Sequence, residues 1–205
     1  MRPRNEIEYE QRRQQIIDGA LEAFADKGFE KATNRDIARA AGIGSPGLIY
    51  HYFQDKADLF RSVIEERSHI LRLLAQFETF MALPPREGLT QFGHAFLTVL
   101  DEPASAALLK LMLGEAARQP EVAGLINQVG PGRVFPFIRR YMAQQMAAGH
   151  LHQADPGAAA RCFVGPLMIY ILSREVFRQA DADTLHRETM VETAVDIFLH
   201  GLEPV

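Results

Sequence analysis

Tryptophan is absent from the 205-residue chain, and cysteine occurs once, at Cys162. A single cysteine closes no internal disulfide and fills no multi-cysteine zinc site. It fits a protein of the reducing cytoplasm. No run of eighteen apolar residues stands out, so no membrane-spanning helix is expected. The opening MRPRNEIEYEQRR is charged, not basic and then apolar, which is not the pattern of a secretory signal. Also missing is the Val/Ile/Thr alternation of strands. Ala, Leu, Glu, Gln, Arg and Met dominate instead, and the expectation is an all-α chain. Positive charge is not in excess either, since 22 Lys and Arg stand against 26 Asp and Glu, a formal net charge of −4. Any nucleic-acid-binding role must therefore rest on a local motif and its geometry. Nothing matches a nucleophile elbow, a phosphate-binding loop or a paired-carboxylate site, so neither an enzyme nor a cofactor is expected. His150 and His152 have no further ligands beside them, and no metal is expected.

What is present is helix upon helix. Over residues 9–27, Ile16, Ile17, Ala20, Leu21 and Phe24 recur at helical spacing as one apolar stripe. Gly28 follows where a C-terminal glycine belongs. Thr33 then reads as an N-cap, with Asp36 three residues on, where a carboxylate favours the helix start. Gly42 closes this short helix. Ser45 and Pro46 open a third one as a cap and a first-turn proline, and Asp55 caps a fourth. Residues 33–53 thus form a helix, a glycine-containing turn and a second helix, which is a helix-turn-helix. A second helix held across the first can enter the roughly 12 Å wide major groove of B-DNA and turn its N-terminal residues to base edges.

Each residue type suits that task. Gly42 and Gly44 permit a sharp turn. The N-termini at Thr33, Ser45 and Asp55 offer free amides to phosphates. Gly47 lets the backbone come close, Tyr50 and His51 carry hydrogen-bonding tips, and Lys56 is placed to meet a phosphate. Plain structural roles compete: a cap alone for Thr33, a core position for Tyr50, a solvated side chain for His51. Arg2 and Arg4 offer an arm toward a neighbouring groove.

The stretch TNRDIARAAGIGSPGLIYHYFQDKADLF, with AFADKGFEKAT leading into it, resembles the DNA-binding segment of the tetracycline-repressor (TetR) family of bacterial regulators. The resemblance implies a three-helix DNA-binding domain, set here at residues 1–55. It also implies a helical ligand-binding and dimerisation domain, set at 56–205, with a dimer formed by the last two long helices. By matching position it puts Thr33 and Arg35 where the second helix meets the DNA backbone. Ser45, Pro46, Gly47, Tyr50 and His51 fall on the recognition helix, Lys56 on the family's phosphate-contacting lysine, and Tyr52 and Phe53 on packing positions. Two departures are visible. The spacing from Gly42 to Tyr50 is one residue longer than the commonest family pattern, and Pro46 stands where many relatives carry lysine.

In the remainder, Phe77, Phe80, Phe92, Phe96, Met112, Phe137, Tyr141 and Phe163 recur at helical spacing. They are the candidates to line a pocket between helices for an apolar effector. The helices expected over 156–177 and 184–200 carry more apolar surface than one covered side needs. Phe163, Leu167, Tyr170, Phe177, Val191, Val195 and Phe198 are the candidates for a four-helix interface around a two-fold axis; burial within their own domain is the alternative. The expected protein is a cytoplasmic homodimer without membrane contact. It binds double-stranded operator DNA and, as a repressor, is released by a small, largely apolar molecule. An activator of the same fold, or a helical carrier or enzyme for apolar molecules, are the rival readings.

Overall fold

The computed structural model describes residues 4–67, 71, 74, 75, 77–101 and 103–202, without the side chains of residues 4, 5, 77 and 202. Among these residues every regular element is helical. In chain order they are α1 (Arg4–Lys31), α2 (Asn34–Ala40), a 3-10 turn (Pro46–His51), α3 (Lys56–Arg67), α4 (Phe77–Met81), α5 (Pro85–Leu97), a 3-10 turn (Thr98–Leu100), α6 (Pro103–Arg118), α7 (Pro120–Val129), α8 (Pro131–Ala147), α9 (Pro156–Glu175), α10 (Ala180–Thr184) and α11 (Arg187–Leu202). The fourth helix, expected from the Asp55 cap onward, falls partly outside the described residues, as does Arg2 of the expected arm.

The chain divides into two compact units, Met1–Arg67 with Pro103–Val129, and Ser68–Glu102 with Gly130–Val205. In the first unit, α1 is the spine against which α2, α3 and α6 pack, while α7 packs on α6 and α3. It starts earlier than residue 9, because the preceding charged residues are good helix formers and Glu6 lies in the first turn, where the helix dipole favours it. Ile16, Ile17, Ala20 and Phe24 are fully buried, each large side chain worth about 1.5–3 kcal/mol of transfer free energy. Gly28 breaks the helix at φ 80°, ψ 163°, and one more turn follows to Lys31. Beyond the break, Phe29 meets Phe60 of α3 at 4.9 Å between ring centroids, and Phe24 meets Phe60 edge-on at 5.4 Å. Leu59, Phe60, Val63 and Ile64 of α3 are all buried. Packing thus carries this unit past the residue-55 boundary: α3, α6 and α7 share its core with α1 and α2.

Helix α1 and the end of α2 meet at backbone distance. A Cβ built on Gly19 would lie 2.4 Å from the backbone nitrogen of Ala41 and 2.7 Å from its Cα. No side chain fits there, and the obstacle is backbone, which cannot rotate away.

In the second unit, α9 packs against α8, α11, α5 and α10, and α5 also packs on α11. Phe92, Tyr141, Met142, Leu167, Val191 and Val195 are fully buried. Three side chains of α8 hold the chain just after α4. The Tyr141 hydroxyl donates to the Leu83 carbonyl at 2.9 Å, Gln145 Nε2 to the same carbonyl at 3.0 Å, and Gln144 Nε2 to that of Met81 at 2.9 Å. Burial, with the charge of Glu87 as a lesser cause, holds the Tyr141 hydroxyl well above the usual tyrosine range. Helix α9 does contain an eighteen-residue window apolar enough to cross a membrane, at mean hydropathy 1.3. One such helix is weak evidence of a span, and this one spends its buried side on α5, α8 and α11.

Gly19→Ala should force α1 off α2 and lower the stability of the folded chain by about 1–3 kcal/mol, the usual cost of overpacking. Urea unfolding followed by helical circular dichroism measures it, with Gly124→Ala, where an added Cβ meets nothing within 4 Å, as the control.

Candidate nucleic-acid interface

The entry to α2 is fixed by a reciprocal cap. Thr33 is extended (φ −99°, ψ 159°), and its hydroxyl oxygen accepts from the Asp36 amide at 3.3 Å. In return the Asp36 carboxylate accepts from the Thr33 amide at 3.0 Å and from its hydroxyl at 2.7 Å. The other carboxylate oxygen accepts from Lys27 Nζ of α1 at 2.5 Å. This satisfies orphan amides at the helix start and ties α2 to α1. The lysine and the threonine together hold the Asp36 carboxyl well below the usual carboxylate range.

Helix α2 ends at a turn of residues 41–45. Gly42 takes φ 65°, the left-handed conformation that favours glycine, and the Ile43 amide returns to the Ala38 carbonyl at 3.0 Å. Gly44 does not adopt positive φ, so only one of the two glycines read from sequence is needed for the turn. Ser45 Oγ then accepts from the Gly47 amide at 3.2 Å, with Pro46 in the first turn. The element that follows is a 3-10 turn and not the expected α-helix. It has six residues, anchored through buried Ile49, and short pieces of this size favour the tighter i→i+3 pattern. In that geometry residues three apart share an edge, so Gly47 and Tyr50 line up, as do Pro46 and Ile49.

The reading edge is therefore polar and open. Arg35, Ser45, Gly47 and His51 are exposed, Pro46 is half-buried, and Tyr50 is 60% exposed. Thr33 is exposed as well as being a cap. Tyr52 stacks against Tyr9 at 4.6 Å, and Phe53 is buried beneath Arg13 at 5.4 Å, so both serve packing. Lys56 is more tied than the sequence suggested. Its Nζ donates to the carbonyls of Glu30 at 3.0 Å and Ala32 at 3.4 Å and lies 4.7 Å from the centre of the Phe29 ring. It braces the last turn of α1, whatever else it meets on DNA. Two partners went unseen in the sequence. Lys27 binds Asp36, and Asn34 Nδ2 donates to the Tyr50 hydroxyl at 2.7 Å. Neither pair has a spacing that signals contact, because both are made between elements.

The pocket candidates fare differently. Phe80, Phe92, Phe137, Tyr141 and Phe163 are buried and Phe96 is half-buried. They pack ring against ring: Phe80 with Phe137 at 4.8 Å and with Tyr141 at 4.9 Å, Phe92 with Phe96 at 5.9 Å and with Phe163 at 6.1 Å. In this structure they are core. Met112 lies on α6, in the first unit, and the Phe77 side chain lies outside the described residues. The interface candidates divide between core and surface. Phe163, Leu167, Tyr170, Val191 and Val195 are buried in their own unit, because the bulkiest stripe of each helix fills the nearest core. Phe177 (61% exposed) stays open, and Phe198 is half-buried. The free face carries Ile169 and Ile197, 57% and 71% exposed. Between α9 and α11 lies an open groove of about 480 Å³, lined by Cys162, Pro166, Met190, Thr193, Ile197 and Phe198 among others.

A capped helix, a glycine turn and a short exposed second element on an all-helical chain define a helix-turn-helix regulator. Residues 16–63 match the model of the bacterial regulatory proteins of the tetR family, and residues 87–201 match that of the AefR-like transcriptional repressor C-terminal domain. The chain belongs to the TetR family, with a C-terminal domain of AefR-like type. It is 41% identical over 91 residues to the HTH-type transcriptional repressor Rv1474c of Mycobacterium tuberculosis, a match covering 44% of this chain and 43% of that one. The chain thus spans less than half the length of this curated relative. Among solved structures it is similar to the fatty acid degradation regulator FadR of Bacillus halodurans, with TM-score 0.74 and 23% identity over 93% of this chain and 99% of that one. It is also similar to FadR of Bacillus subtilis in complex with stearoyl-CoA, with TM-score 0.72 and 20% identity over 92% and 98%. At these identities the structures speak for the fold.

The cap makes stability pH-dependent with a defined sign. Asp36 is held below its unfolded value, so its contribution is full above about pH 4 and is lost as pH falls through the depressed folded value. Comparing the wild type with Asp36→Ala, the gap in melting temperature should be constant from neutral pH to about pH 4 and narrow below it. A gap that narrows already between pH 7 and 5 contradicts the assignment.

Proposed function

We propose that this protein is a one-component transcriptional repressor. It acts in the cytoplasm as a homodimer on palindromic double-stranded operator DNA and leaves it when a small, largely apolar molecule binds. The observation that carries the reading is the exposed polar edge of Arg35, Ser45, Tyr50 and His51, mounted on two elements that are capped and cross-braced. Residues 1–55 are the reading part. Residues 56–205 supply the brace, the effector site and the dimer surface.

The exposed stripe of α9 and α11 supports a two-fold pairing. Ile169, Ile197 and Phe177 are costly to leave in water, and two such helices from each subunit close a four-helix interface. An apolar effector is supported by the aromatic make-up of the second unit, and by the similarity to a regulator solved with stearoyl-CoA. Release is then a shift of population, as large as the effector's difference in affinity between the two states. The route is short. Helices α6 and α7 lie in the matched C-terminal segment but pack on α1 and α3. Glu115 of α6 is 2% exposed, and its carboxylate sits so near Gly28 that a Cβ there would come within 2.7 Å of it. A shift of α6 thus acts on α1 at its break.

Selection of bound sequences from random duplex DNA at near-physiological salt should recover a palindrome with defined half-site spacing. No enrichment over non-specific binding overturns the reading. Ile197→Glu should give a folded monomer in sedimentation and weaken binding to the recovered operator roughly a hundredfold, the loss expected when two linked contacts become one. A dimer of unchanged affinity excludes this face as the interface.

A further inference from the structure

We infer that Asn34 is a positioning residue that fixes the Tyr50 hydroxyl as a hydrogen-bond donor toward DNA; the inference rests on the operator-binding reading above. Asn34 opens α2 directly after the capped Thr33, so its backbone is anchored. Its Nδ2 donates to the Tyr50 oxygen at 2.7 Å, while the tyrosine itself is 60% exposed. A free phenol both donates and accepts. An amide N–H group only donates, so the phenol proton cannot point back at the Asn34 nitrogen that binds it. With its oxygen accepting from the amide, Tyr50 turns its own proton outward. Gly47, three residues earlier on the same edge of the 3-10 turn, has no side chain to cover it.

A tyrosine held this way selects acceptors. On duplex DNA these are phosphate oxygens and the acceptor edges of the major groove, guanine N7 and O6, adenine N7 and thymine O4. The amino groups of cytosine and adenine offer donors instead and are disfavoured. Pre-orientation also means that little rotational freedom is lost on binding. Asn34 thereby affects affinity without touching the DNA.

The test is a double-mutant cycle on the operator selected with the wild-type protein, using Asn34→Ala, Tyr50→Phe and the double variant. All three should keep the wild-type melting temperature, since the side chains are not core. Tyr50→Phe should weaken binding roughly tenfold per half-site, since each subunit loses one hydrogen bond to a charged or polar acceptor. Asn34→Ala should weaken it roughly threefold to fivefold per half-site through lost orientation, and the double variant should bind no more weakly than Tyr50→Phe alone. If Tyr50→Phe weakens all sequences evenly, the acceptor is a phosphate; if it relaxes preference at one half-site position, the acceptor is a base edge. Either outcome supports the inference. Losses that multiply in the double variant mean that Asn34 meets DNA on its own account and overturn it, as does wild-type affinity in Asn34→Ala. Failure of the wild type to select any operator is seen before the variants are measured and overturns the operator reading, and this inference with it.

Discussion

The exposed edge proposed to face DNA depends on a contact that no side chain could occupy, the approach of Gly19 to the backbone of Ala41. It brings the end of α2 onto α1 at backbone distance and so sets where the turn of residues 41–45 begins. Everything after that turn follows its direction: the Ser45 cap, the 3-10 turn, the exposed Tyr50. The Lys27–Asp36 pair acts at the other end of α2 and stops it from pivoting about the glycine contact. A helix of seven residues has too few bonds to hold itself. It persists because both ends are fixed from outside.

In the proposed function the same spine joins the reading edge to release. The turn after Gly28 is gripped from two sides. Lys56 of α3 takes the carbonyls of Glu30 and Ala32, and the buried Glu115 of α6 lies against Gly28 itself. Glu115 is compensated by Arg118 of its own helix at 2.9 Å and by Gln119, just past the helix end, at 2.9 Å. A buried charge kept this way costs free energy that a leucine would not, which suits a residue retained for position. The segment that Glu115 lies against thus leads directly into Thr33.

Much of this was legible in the sequence, for identifiable reasons. Caps, turn glycines and apolar stripes are local, and they located α1, α2, the 3-10 turn and α3 within a few residues. Tyr52 and Phe53 were read correctly as packing residues. What stayed hidden is non-local. The Asn34–Tyr50 and Lys27–Asp36 bonds join separate elements, and the anchoring of Lys56 depends on carbonyls, which no sequence displays. The sequence left the apolar residues of α9 and α11 open between pairing and burial, because a helix apolar on two sides does not announce which side its own core takes. Phe163 and Leu167 went inward, and Ile169 and Ile197 were left outside. For the aromatic residues, periodicity finds burial equally for a cavity lining and for a filled core. Composition gave no sign of DNA binding, since the net charge is negative and the reading edge is a handful of residues.

The central claim is that two copies of the 3-10 reading turn address one duplex through a fixed dimer. Inserting half a helical turn, about five base pairs, between the half-sites of the selected operator tests it most directly. The half-site spacing of a dimer is a geometric property, near 34–36 Å or a multiple of it. The account expects binding to fall to the non-specific level with the half-turn insert. Unchanged affinity for the expanded site would contradict it, because the two reading turns would then act independently.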